Sequence, residues 1–173
     1  MSKDLSIVES GDQNKTDKFE GIALKGPPEF IDRTKRALTT LKRTRGYERI
    51  LPYLGMIRAA ERSGMSVYDE VPTYEVGVAT WGHSDMWYAS TIAHDGYHSV
   101  LYHEAKAKSD GNEPHAEKWI GEKAERECLE FQLSTLKELG ADKELLIYVE
   151  RFKASPTYQG DHKSWEDYQK RSW

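Results

Sequence analysis

One cysteine, Cys128, is all that 173 residues contain. No intramolecular disulfide can form and a metal site built from several thiolates is excluded, so any metal must be held by histidine and carboxylate side chains. Nowhere does the chain approach the ~18 consecutive apolar residues of a membrane-spanning helix, and its polar N-terminal stretch has no apolar signal core. A cytoplasmic protein without a membrane partner is expected, with export lacking a cleaved signal left open. An excess of one charge is missing too. The 25 Lys and Arg are mixed with 29 Asp and Glu, for a formal net charge of -4, and this offers no footprint for nucleic acid.

The length suits one domain with its own core. Residues 1–18 are polar and unpatterned and read as a flexible leader; residues 19–173 read as the single domain. An extended piece at 19–25 leads to Gly26-Pro27-Pro28, with Pro28 in the first turn of a helix to about 43, whose buried stripe is Phe30, Ile31, Ala37, Leu38 and Leu41. A second helix is expected over 47–62, with Tyr53, Leu54, Ile57 and Ala60 inward and Gly64 as its left-handed cap. The alternation of Tyr74, Val76 and Val78 predicts a strand over 73–80. Ser84 caps a helix over 85–108, Pro114 opens another that stops at Gly140, and a third spans 142–153. The aromatic tail is expected to pack back on the body, with a short helix at 165–170. The fold class is α+β, mainly α: one domain with long helices and a small sheet or edge strand.

The helix at 85–108 carries the chemistry. His94 and His98 are four residues apart, so they lie roughly 40° apart around the axis and one turn above each other, where both imidazoles reach one metal ion. Asp95 flanks the same face, where its carboxylate can hold an attacking water. His103 points to the opposite side. A tetrahedral catalytic site needs a third protein ligand. On the following helix, a wheel through the apolar residues places Glu125 inside the buried arc, at roughly 140°, whereas Glu127 and Glu130 face outward and Glu122 lies at the edge. Glu125 is therefore the acid whose burial calls for a cation, Glu122 is the reserve, and Gln132 is placed to support the site through a hydrogen bond. Cys128 reads as a small buried hydrophobe.

The run His94-Asp95-Gly96-Tyr97-His98 resembles the H-E-x-x-H signature of zincin metallopeptidases, with Asp95 where that family has glutamate. The placement of Glu125 resembles the gluzincin branch, in which a later helix gives the third ligand. The resemblance implies a zincin-like domain binding Zn²⁺ through His94, His98 and Glu125, with Asp95 as general base and a peptide or small amide as substrate. It also implies a strand at the cleft edge, a place that 74–78 can fill, and an oxyanion-stabilising group beyond the ligand helix, for which Tyr158 and His162 stand available. Two other readings compete. The His94-Asp95 doublet also resembles that of HD-type phosphohydrolases, but residues 1–82 lack the upstream histidine that family needs, and His83 is close in sequence. A non-catalytic module using the metal for structure would work through a partner surface, for which the tail offers Trp165, Tyr168 and Trp173.

Overall fold

A computed structural model of the protein describes residues 15–154. Regular structure starts earlier than the leader boundary at 18 suggested: Lys15–Phe19 form strand β1, which turns through Glu20 and Gly21 into β2, Ile22–Gly26. Helix α1, Pro28–Leu41, follows with its expected residues buried. The predicted helix over 47–62 is replaced by three short pieces. Helix α2 covers only Arg45–Ile50, a 3₁₀ turn spans Leu51–Tyr53, and Met56–Ala59 form strand β3. Pro52 and Gly55 explain this: a proline cannot sit inside a continuing helix, and glycine lowers helix propensity next to it. Leu54 and Ile57 are buried as expected, but Ile57 is buried as a strand residue. Gly64 is not a helix cap; it opens β4, Gly64–Ser66. The strand expected over 73–80 is β5, Thr73–Val76, and ends where Gly77 leads into the short helix α3, Val78–Trp81.

The sheet runs β1-β2-β3-β5-β4, with β2, β3 and β5 parallel and the two edge strands antiparallel to their neighbours. Its register puts Leu24, Ile57, Tyr74 and Met65 in one row across four strands. Leu24, Ile57 and Tyr74 are fully buried, each side chain contributing about 1.5–3 kcal/mol of burial. The next row, Lys25, Arg58 and Glu75, faces the other way, and there Arg58 pairs with Glu75.

Helix α4, Asp85–Lys108, is the axis of the molecule and has the predicted bounds. Ser84 Oγ accepts the Trp87 amide hydrogen at its start. More than half of its residues are buried, because α1, α2, the sheet and helix α5, Glu122–Glu138, surround it. Gly96 marks the close approach of α2, since a Cβ there would stand 2.9 Å from Ile50 Cδ1. Past Pro114 the chain makes a 3₁₀ turn, Ala116–Lys118, and α5 begins only at Glu122, running to Glu138 after Gly121 adopts φ 85°. The helix expected from Pro114 therefore loses its first two turns to the connection that packs Trp119 against α4. Helix α6, Lys143–Ala154, completes the described residues. The expectations for the tail, including Tyr158, His162 and a helix at 165–170, lie outside them.

Candidate metal centre

Helices α4 and α5 run antiparallel, as the contacts Ser90 to Gln132 and His98 to Trp119 show. This brings His94 and His98 from the middle of α4 against Glu125 in the first turn of α5. His94 Nε2 lies 3.3 Å from Glu125 Oε2, and His98 Nε2 lies 3.3 Å from Glu125 Oε1. The three residues form a buried group able to hold a metal ion. Ligand bonds of about 2.0–2.1 Å arranged tetrahedrally place donor atoms roughly 3.3–3.4 Å apart, the spacing seen here.

The hydrogen-bond network sets which ring nitrogen is the base. Ser90 Oγ donates to the Trp87 carbonyl, so it accepts from Gln132 Nε2, 3.0 Å away. That orientation turns Gln132 Oε1 toward His94 Nδ1 at 3.1 Å, where it can only accept. His98 Nδ1 stands 2.6 Å from the Trp119 carbonyl oxygen, another group that only accepts. Both rings thus carry hydrogen on Nδ1, and both direct Nε2 at the carboxylate of Glu125. A neutral imidazole would there set a lone pair against carboxylate lone pairs. Protons or a cation must fill the space between them.

The electrostatics agree. Burial by itself would lower the His98 pKa, but the neighbouring sulfur of Cys128 and the Glu125 carboxylate outweigh it and hold that pKa well above the usual imidazole value. Burial opposes charge on Glu125, yet hydrogen bonds from His94 and His98 prevail and hold its carboxyl well below the ordinary range. Without metal, a proton shared with His98 balances the carboxylate. A metal ion held by His94, His98 and Glu125 would take the place of that proton. Burial, reinforced by Glu125, pushes the Asp95 carboxyl up. The Cys128 thiol is pushed up by burial as well, and it packs beside His98.

A cavity of about 190 Å³ opens onto this group. Asp95 lines it, as do Gln132, Tyr74 and Thr91, while Ser63, Gly64 and Met65 form the wall on the side of β4. The fully buried Tyr74 hydroxyl has Asp95 and Thr91 as polar neighbours but no hydrogen bond of good geometry. The other sequence candidates separate from the site. Glu122 is exposed and pairs with Arg126 at 2.7 Å. His103 bonds the Ser99 carbonyl and stacks near Tyr53. His83 precedes α4, near Trp87. The cleft edge is β4, with β5 lying one strand inward, which corrects the place given to 74–78. Trp119 was missed because it contributes a backbone carbonyl, for which no side-chain pattern is a signal. No family model, curated protein or solved structure matches the chain.

Proposed function

We propose that the protein is a zinc-dependent hydrolase of a peptide or amide bond, with His94, His98 and Glu125 as ligands and Asp95 as general base. The observation that carries this reading is the convergence of two tautomer-fixed Nε2 atoms on one carboxylate, beside an open cavity. Two imidazoles and a glutamate are a borderline nitrogen and oxygen set that suits zinc, and they leave a position for water or substrate. When bound, zinc supplies Lewis acidity toward a carbonyl oxygen and makes water acidic enough to attack near neutral pH.

The residues of the chain do the rest. Asp95, with its raised pKa, takes the proton of the attacking water as its oxygen bonds to the carbonyl carbon, then delivers that proton to the departing nitrogen as the C–N bond breaks. Gln132 and the Trp119 carbonyl keep the two imidazoles in register with Glu125. The edge position of β4 supports a peptide substrate, because an edge strand offers unpaired backbone groups to an extended chain. The family resemblance of the histidine run points the same way.

Purified protein, stripped of metal and reloaded with zinc, is tested on a mixed peptide library by mass spectrometry. Zinc-dependent cleavage is expected, with Asp95→Asn reducing it by on the order of 10²- to 10⁴-fold while zinc binding persists. Zinc binding without cleavage of any peptide, and unfolding when zinc is withdrawn, would instead establish a structural metal and overturn the hydrolase reading.

A further inference from the structure

We propose that the cavity contains an apolar subsite, walled by Met65, Trp119 and Ile120, that seats one uncharged aliphatic side chain of the substrate; the assignment of its occupant as substrate rests on the hydrolase reading. Three observations carry it. The wall is built of apolar groups from two separate segments. Met65 comes from β4, half-buried in the same row as Tyr74, and Trp119 and Ile120 come from the connection into α5. Trp119 is 7% exposed and held edge-on by Tyr102 at 5.3 Å and Tyr68 at 5.6 Å, so its position is fixed by packing before any ligand arrives. Ile120, which lines the cavity, is 40% exposed, so folding leaves apolar surface uncovered at this mouth.

The charge of the cavity selects against anions. Its ionisable lining groups among the described residues are His94, His98, Asp95, Glu125 and Tyr74, with no lysine or arginine. A carboxylate side chain held against Met65, Trp119 and Ile120 would find no lysine or arginine there, while the positive charge of the metal centre is already matched by Glu125 and Asp95, an arrangement that a poorly solvated site disfavours. Size also limits the occupant. An apolar cavity of about 150 Å³ takes a benzene-sized guest. The 190 Å³ found here, shared with the reacting carbonyl and water, has the size for one aliphatic chain.

The backbone links this wall to the metal centre. The Trp119 carbonyl holds His98 Nδ1, and Gly121, two residues on, begins the turn into Glu125. A side chain pressed against Trp119 and Ile120 therefore bears on the segment that orients two of the three ligands.

Binding, measured apart from turnover, tests the subsite. Zinc-loaded full-length protein is titrated with acetohydroxamate, 4-methylpentanohydroxamate and the monohydroxamate of succinate. In parallel, zinc-free protein is titrated with 4-methylpentanamide and with succinamate, following the methyl resonances of Met65 and Ile120. The isobutyl-bearing hydroxamate should bind roughly ten-fold or more tightly than the acetyl one, and the succinate compound no better than the acetyl one. Ile120→Ser should cut the advantage to about three-fold or less with zinc content unchanged. Equal binding of all three, or an advantage that survives in both Ile120→Ser and Met65→Ser, overturns the subsite. Should the chain take up no zinc, the hydrolase reading fails and the amide titration decides: saturable methyl shifts with 4-methylpentanamide alone support the subsite, and their absence overturns it.

Discussion

Replacing Gln132 by leucine removes one oxygen and one nitrogen from a buried chain of hydrogen bonds while keeping much of the volume. In the native protein Gln132 spans Ser90 and His94, and its fixed amide is what keeps hydrogen on His94 Nδ1 and the lone pair on Nε2. Leucine offers no acceptor. A hydrogen bond of this kind is worth about 1 kcal/mol net, and a buried donor left unsatisfied costs about 1–3 kcal/mol. The ring of His94 then turns or adopts the other tautomer in the metal-free state, and zinc binding must restore the productive one. At about 1.4 kcal/mol per factor of ten, the expected loss of zinc affinity is about 10- to 100-fold. A chelator-competition titration at fixed pH measures it, with circular dichroism to establish that the variant is folded. A folded Gln132→Leu protein whose zinc affinity stays within about two-fold of native would refute the tautomer argument, because His94 would then need no partner to aim its Nε2.

Other consequences follow from the same geometry. Zinc binding should release a proton from His98, so apparent affinity should fall as pH is lowered through the raised pKa of that residue; calorimetry in two buffers of different ionisation enthalpy reads the proton count, and a value of zero would contradict the assignment. In the zinc-free protein, the raised pKa of His98 gives stability that is complete below its unfolded value, 6.5, and is lost as pH rises through the folded one. The depressed Glu125 gives stability present above its unfolded value, 4.5, and lost as pH falls through its folded value. Thermal unfolding in chelator should thus be most resistant between these limits, and the maximum should flatten in Glu125→Gln. Gly96→Val should destabilise the fold by about 2–3 kcal/mol, since a Cβ at 96 already meets three Ile50 atoms at 2.9–3.3 Å; a denaturant midpoint unchanged from native would show that α2 yields without cost.

Much of the site could be read along α4 because every signal there is local. Ser84 supplies the cap, the interval from His94 to His98 is one helical turn, and the wheel of α5 separates Glu125 and Gln132 from the acids that face solvent. The sheet was less accessible. Its strands β3 and β4 have four and three residues, too short to display a period of two, and Leu54 with Ile57 imitates a helical interval across the break made by Pro52 and Gly55. The start of α5 was misplaced because Pro114 is a good opening residue in isolation, whereas packing of Trp119 on Tyr102 pulls the connection away from α-helical geometry. The Trp119 carbonyl and the β4 wall come from tertiary structure, and each depends on a neighbour distant in sequence.

The most direct test of the metal centre is zinc-edge X-ray absorption on protein purified without affinity metal and reconstituted with zinc. About one zinc per chain, with two imidazole nitrogens and carboxylate oxygen in its coordination sphere at about 2.0–2.2 Å, is the predicted result, and both His98→Ala and Glu125→Ala should abolish it. Folded native protein that takes up no zinc, or a zinc signal unchanged in those variants, would contradict the account.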